Sequence, residues 1–313
     1  MNKVPAGLRK NLTRVIVGKD DTIELMIAAV LAGGHVLLED SPGTGKTTLA
    51  LALAHSTGLD MRRIQMTPDT VASDITGYSA YDPAKGEFVF HEGAAVTNLL
   101  LADELNRTSG RTQAALLEAM EEGRLTVDGR TIDLPKPFIV IATQNPTGTA
   151  GTSPIPLSQL DRFMVRLSLG APDKEALMRI LTDRAGADPL DEVEQVCGAE
   201  ELTAIRAETE KVYISDEVMG YVCDIWQAVQ DCPDTEGGIS PRGALALCRM
   251  ARAGAYLDGR DYAAPFDIRT CLLPVCSHRL ILTREAKAAG KTAAGILTKL
   301  LENIPCPENE EKK

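Results

Sequence analysis

Residues 40–47 read DSPGTGKT; a short apolar run, His35 to Leu38, precedes them and a helix-forming stretch follows. Strand, glycine-rich loop, helix is the order that a phosphate-binding loop requires, because backbone N–H groups and the helix dipole then converge on one anion. Gly43 and Gly45 let the backbone close around a β-phosphate, Lys46 can reach the β/γ-phosphates, and Thr47 is placed to hold Mg²⁺. The candidate nucleotide contacts are Ser41, Pro42, Gly43, Thr44, Gly45, Lys46, Thr47 and Thr48. Asp40 stands where the full pattern has glycine, and Asp tolerates left-handed backbone better than most residues. The competing reading is a tight strand-to-helix turn with a chance GKT.

A second stretch supports the first. Leu99 to Ala102 is fully apolar and ends in Asp103-Glu104, which predicts a central buried strand with two carboxylates at its end. A buried unpaired carboxylate is costly, so such a pair is expected to face a cation or water. Asp103 suits the metal and Glu104 suits the attacking water. Taken alone, the dipeptide is equally a solvated strand end. Phe138 to Thr143 is another buried strand, and Asn145 after it would contact water or γ-phosphate, though Asn before Pro146 is also a common turn. Arg162 and Arg242 are candidate charge donors to a γ-phosphate, each equally readable as a surface arginine. For Arg162 that plainer reading is an ion pair with Asp161 or a glutamate. Ser240 and Pro241 are expected to start the helix bearing Arg242.

Arg63 to Thr67 and Met164 to Leu169 complete five predicted strands. Residues 22–32 predict a helix capped by Asp20 or Asp21 and stopped at Gly33-Gly34. Residues 112–122 predict another, and Asp128-Gly129 between alternating runs predicts a hairpin. Residues 68–98 read as irregular, with short β-like pieces. Beyond Gly170 no strand is expected, only helical stretches at 174–184, 200–211, 215–230, 241–256 and 266–281. The expected organisation is an α/β unit with a parallel sheet over 1–171, a smaller all-α unit over 172–301, and a disordered acidic tail over 302–313.

Net charge is −11 over 313 residues, so the bulk field disfavours nucleic acid. The seven cysteines form no CxxC pair, which suits buried thiols in a reducing cytoplasm. No apolar run approaches the roughly 20 residues that span a bilayer, so no membrane association is expected.

Together these motifs, in this order, resemble the AAA+ superfamily, with ATP and Mg²⁺ as ligands. QMTPDTVASDITG (65–77), LLADELNRTSGRTQAALLEAMEEGRLTVDG (100–129), ATQNPTGTAGTSPIPLSQLDRFMVR (142–166) and GGISPR (237–242) are similar to the MoxR family. The resemblance spans about 11–282 and is most specific over 99–166. It implies that Asn145 is sensor 1, that Arg242 is sensor 2 from the lid, and that Arg162 is an arginine finger given to a neighbouring subunit. It places Val17-Gly18 beside the adenine, with 68–98 and the 128–129 hairpin as inserts. It further implies an ATP-hydrolysing, hexameric, chaperone-like remodeller of protein clients, often with a von Willebrand A domain partner. Two segments depart from the family pattern: Gly93-Ala94-Ala95-Val96 replaces Gly-Pro-aliphatic-Phe, and 154–159 lacks the usual Glu. The alternatives are an AAA+ nucleic-acid motor or loader, and a nucleotide-gated scaffold with little turnover.

Overall fold

The computed structural model describes residues 3–41, 43–146, 152, 154–183 and 188–307. Pro42 and residues 147–151 and 153 lie outside them, as do 308–313 of the expected tail. The chain begins with α1 (Lys3–Val15) and α2 (Asp20–Leu31), then β1 (Val36–Glu39), α3 (Lys46–Thr57) and β2 (Met61–Gln65). A short α4 (Ala72–Thr76) leads into β3 (Gly77–Asp82) and β4 (Glu87–Glu92). Next come β5 (Leu99–Asp103), α5 (Gly110–Glu122), β6 (Arg124–Val127), β7 (Arg130–Asp133), β8 (Ile139–Gln144), α6 (Leu157–Leu160) and β9 (Val165–Leu167).

The five expected strands form one sheet in the order β2-β5-β8-β1-β9, with every pairing parallel. Strand periodicity divides their side chains between two cores. Val36, Leu38, Leu99, Leu101, Ile139 and Ile141 join α1, α2 and α3 on one face. Leu37, Leu100, Ala102, Val140 and Ala142 join α5 on the other. Burial on both faces explains why these strands read as unbroken apolar runs rather than alternating ones. All strands point the same way, so Lys46, Asp103-Glu104 and Asn145 gather at the carboxyl edge.

The helical part contains α7 (Lys174–Asp183), α8 (Ala199–Thr209), α9 (Asp216–Gln230), α10 (Pro241–Leu257), α11 (Pro265–Cys276), α12 (Arg284–Ala288) and α13 (Ala293–Asn303). Its apolar residues, among them Val222, Leu247 and Leu272, continue the core that contains α1, α2 and α3. The expectation of no strand here needs correction. Short pairs link β10 (Tyr213–Ile214) with β12 (Tyr262–Ala263), and β11 (Thr235–Gly237) with β13 (Ile281–Leu282). Pieces of two or three residues are too short for periodicity to register.

Other expectations are met or amended locally. Ser240 Oγ accepts Gly243 N–H at 3.0 Å with Pro241 in the first turn, as expected. Asp128 and Gly129 have φ of 50° and 77°, the two positive values that a tight two-residue hairpin turn demands. The start of α2 is capped by Lys19 backbone without a side-chain bond, and Asp20 and Asp21 sit in its first turn. There they still complement the helix dipole. Residues 77–92, expected as irregular chain with short β-like pieces, form a regular hairpin. Gly93 packs so closely on Ile75 and Gly77 backbone that a Cβ would lie 2.3 Å from each, and Ala95 beyond it is buried. All seven cysteines are free; Cys197, Cys271 and Cys276 are buried, whereas Cys223 and Cys306 are exposed. No helix among the described residues is long and apolar enough to cross a membrane.

Candidate nucleotide site

The loop between β1 and α3 turns on Gly43 (φ 84°) and Gly45 (φ 92°), conformations that L side chains resist. A Cβ on Gly43 would meet nothing within 4 Å, so the loop's outer side is open. Ile16 packs against Gly45, and Gly18 lies against Ala176 of α7. The Val17-Gly18 turn thus stands beside the loop, between it and the first helix after the sheet. Lys46 is buried, and its ammonium donates to the carbonyl oxygens of Asp40 at 2.5 Å and Ser41 at 3.0 Å. Burial pushes its pKa below the usual value, and the charges of Asp40, Asp103 and Glu104 oppose that shift. Thr47 and Thr48 follow in the first turn of α3, and Thr44 Oγ1 bonds back to the Ser41 carbonyl at 3.3 Å.

Asp40 does something other than expected. Among the described residues only Glu104 and Asp128 have positive φ outside glycine, so Asp40 is not left-handed. Its carboxylate accepts Ser168 Oγ at 2.7 Å, Leu169 N–H at 2.7 Å and Gly170 N–H at 3.0 Å. The residue replacing the loop's first glycine therefore ties it to the chain leaving β9. Lys19 Nζ reaches the Ala171 carbonyl from the other side at 2.8 Å.

The two carboxylates diverge. Asp103 is buried at the end of β5, where Thr143 Oγ1 donates to Oδ1 at 2.6 Å and Arg63 Nη2 to Oδ2 at 2.7 Å. Glu104 has φ 57° and ψ 46°, a left-handed turn costing about 1–3 kcal/mol that redirects its side chain from the strand's line. Thr143 Oγ1 accepts the Glu104 N–H at 2.8 Å and so supports that turn. Glu104 Oε1 accepts Asn145 Nδ2 at 3.1 Å; Oε2 accepts Arg107 Nη1 at 2.8 Å and Gln65 Nε2 at 2.9 Å. The Arg107 hydrogen bond does most to hold the Glu104 carboxyl below the usual range; Asn145 adds to it, while partial burial opposes it. Asn145 is itself buried, and Asn106 locks its backbone through bonds of 2.9 Å to its carbonyl and 3.3 Å from its N–H.

Lys46, Asp103, Glu104 and Asn145 come together as predicted, with Asp40, Lys46 and the carboxylates close enough to perturb one another. Arg162 and Arg242 do not join them. Arg162 Nε donates to Glu121 Oε2 at 2.8 Å, and Arg242 Nη2 bonds to Glu121 Oε1. This cluster sits at the sheet's amino edge: Arg162 precedes β9, and Met120 beside Glu121 is bonded through its carbonyl to His35, just before β1. With about 3.3 Å per strand residue, the four residues of β1 put roughly 13 Å between the two edges. The glutamate partner expected as the plainer reading of Arg162 is therefore real. Arg242, expected as sensor 2 from the lid, lies in the first turn of α10 on the other oxygen of Glu121.

Arg63, Gln65, Arg107, Asn106 and Glu121 escaped the sequence reading. Arg63 and Gln65 are two apart on β2 and so share a face beside β5, but only the strand order shows which neighbour they meet. As a test of fit for Mg²⁺, Thr47 and Asp103 offer the hard oxygen donors that ion prefers. The Arg63 guanidinium on Asp103 shows that this carboxylate already attracts a cation.

Residues 35–165 match the family described as ATPase family associated with various cellular activities (AAA), and residues 228–300 match the AAA lid domain. The chain is 43% identical over 298 residues to protein YeaC of Bacillus subtilis (strain 168), covering 95% of this chain and 93% of that protein. It is 35% identical over 305 residues to Chaperone MoxR1 of Mycobacterium tuberculosis, covering 94% of this chain and 80% of that protein. A crystal structure from Cytophaga hutchinsonii, described as a candidate ATPase, matches with a TM-score of 0.89 and 33% identity over 98% of this chain and 96% of that one. A phosphate loop on a five-stranded parallel sheet, a carboxylate pair two strands away, a helical lid and relatives along nearly the whole chain lead to one conclusion: the chain belongs to the MoxR family of AAA+ ATPases.

Proposed function

We propose that this protein hydrolyses ATP in an assembled ring, read as a hexamer, and uses the cycle to remodel protein clients in the cytoplasm. The observation that carries the reading is the Asn145–Glu104 hydrogen bond at the carboxyl edge, beside Lys46 and Asp103. A pure binding switch has no need of a carboxylate presented by a strained turn and held by a buried amide. In this reading Ser41, Pro42, Gly43, Thr44, Gly45 and Thr48 line the phosphates, and Val17-Gly18 borders the base. Lys46 leaves the Asp40 and Ser41 carbonyls for the β/γ-phosphates. Thr47 and Asp103 hold Mg²⁺, which when bound offsets phosphate charge.

Glu104 then orients the attacking water and takes its proton, and Asn145 keeps the carboxylate aimed. To do so Glu104 loosens its hold on Gln65 or Arg107. Residues 1–171 act as the nucleotide-holding unit, 172–301 as its lid, and 302–313 as a tail. Arg162 and Arg242, at the opposite edge, serve the adjacent subunit's ATP. The name of the M. tuberculosis relative, a chaperone, supports the remodelling role, and the family resemblance supports a von Willebrand A domain protein as partner.

The test is subunit mixing. Glu104→Gln lacks a base and Arg162→Ala lacks a donor, so each alone should fail to release phosphate. Their mixture should recover activity, because an Arg162→Ala subunit keeps Glu104 and borrows Arg162 from a Glu104→Gln neighbour. No recovery despite exchange proven by tagged pull-down would overturn the reading of Arg162 as acting between subunits.

A further inference from the structure

Glu121 lies within the 100–129 stretch but carries none of the roles assigned above, yet it is where the two arginines meet. It stands one residue before the end of α5 and accepts Arg162 Nε on one carboxylate oxygen and Arg242 Nη2 on the other. Arg162 comes from the α6–β9 corner and Arg242 from the first turn of α10, 80 residues further on. One carboxylate between two guanidinium groups leaves a net positive charge at a partly exposed spot on a chain of net charge −11.

The backbones around both arginines are fixed independently. Arg279 is almost fully buried; its Nε donates to Asp161 Oδ1 at 2.8 Å, and its Nη groups donate to the carbonyls of Phe163 at 2.7 Å and Met164 at 3.2 Å. Ser240 Oγ lies 3.1 and 3.0 Å from the two Asp161 oxygens while capping α10. The residue before Arg162 is thus joined to the cap two residues before Arg242. With backbones set this way, the remaining freedom is in the two long side chains, and Glu121 is what removes it. Without that carboxylate the guanidinium groups repel and separate.

We propose that Glu121 is a positioning residue that gathers Arg162 and Arg242 into one two-pronged cation for the terminal phosphate of a neighbouring subunit's nucleotide. This rests on the reading above that Arg162 acts between subunits. The several oxygens of a terminal phosphate are what paired planar guanidinium forks recognise best. Glu121 touches no nucleotide itself; it spares the pair the entropy of being assembled at each turnover.

The experiment is Glu121→Gln, which keeps size but not charge, assayed for phosphate release, KM for ATP, thermal transition and ring size. The expected result is a fall in kcat on the order of a hundredfold, as for a misplaced reacting group, with KM, thermal transition and assembly unchanged. In the Arg162→Ala background the same change should cost nothing more. In mixing, Glu121→Gln should regain activity with Glu104→Gln, since each supplies what the other lacks, and none with Arg162→Ala, since both are defective donors. Recovery with Arg162→Ala would overturn the proposal, placing Glu121's effect in its own subunit's site; so would unchanged or raised kcat. If Arg162→Ala itself retains full turnover, the underlying reading fails instead, and the two failures are told apart. Should Glu121→Gln lose its thermal transition, Glu121→Asp, which keeps the charge but shortens its reach, is held to the same kinetic and mixing outcomes.

Discussion

Asn145 donates its side-chain amide to Glu104 at 3.1 Å, joining the ends of β8 and β5 across the carboxyl edge of the sheet. Neither residue is free to turn. Asn106 holds the backbone of Asn145, and Thr143 holds the backbone of Glu104. Asn145 thus fixes one Glu104 oxygen, while Arg107 and Gln65 hold the other.

Glu104→Gln should therefore bind ATP with near-normal affinity in calorimetry while phosphate release falls to background, because an amide cannot take the water's proton. The Arg107 hydrogen bond lowers the Glu104 pKa, so the carboxylate stays charged to lower pH than an ordinary glutamate. In Arg107→Ala the acid limb of the kcat–pH profile should move to higher pH. An unmoved limb would remove Glu104 from the profile.

Asp40 supplies three hydrogen bonds to the chain leaving β9, two of them to backbone N–H groups. Asp40→Ala leaves those donors without their acceptor, at a cost of about 1–3 kcal/mol for a buried group. Urea unfolding should show that loss. Asp40→Asn, which retains one acceptor oxygen, should lose less, and a wild-type midpoint for Asp40→Ala would show the tie to be idle.

His35 is half-buried and neutral, accepting Val140 N–H on Nδ1 at 3.0 Å and facing the Met120 carbonyl with Nε2 at 3.2 Å. Burial pushes its pKa down to about 4 from 6.5. The unfolded chain binds this proton first, so the stability is complete above pH 6.5 and is lost as pH falls from 6.5 toward 4. The slope from one such histidine is about 1.4 kcal/mol per pH unit. Buried His278 is shifted in the same direction. Urea titrations at stepped pH should show a shallower slope in His35→Gln than in the parent chain, and an equal slope would contradict the assignment.

Asp128 Oδ2, in the β6–β7 turn, accepts Ser79 N–H of β3 at 3.2 Å and so links the two hairpins. Tyr78, Tyr81 and Phe88 stand exposed on the first of them. We expect Asp128→Ala to leave basal phosphate release intact and to weaken stimulation by a client or partner, because the outer hairpin loses its brace. Replacing the tip at 128–129 or residues 76–78 with a short Gly-Ser link should act the same way. A collapsed thermal transition in these variants would mark the hairpins as structural instead.

Much of the nucleotide site was legible because local chemistry demanded it. Gly43 and Gly45 need positive φ, Lys46 opens a helix after a strand, and Asp103-Glu104 closes an apolar run; each signal lies within a few residues. Strands β1, β5 and β8 were legible because burial on both faces leaves only apolar residues before their polar ends. The DG turn was legible for the same kind of reason.

What tertiary structure alone decided is which distant residues meet. Arg63 and Gln65 read as ordinary strand residues until β2 is placed beside β5, and Glu121 as a solvated helix end until α6 and α10 bring their arginines to it. Asp40 looked like a tolerated substitution in a glycine's place, yet its partners lie 128 to 130 residues away. Turn chemistry and burial are written in near neighbours, because φ/ψ limits and hydrophobic period act over a few residues. Ion pairs are not, since a carboxylate carries no mark of which arginine it will meet; only the sheet order and the docking of the lid on α2 and β9 supply that pairing.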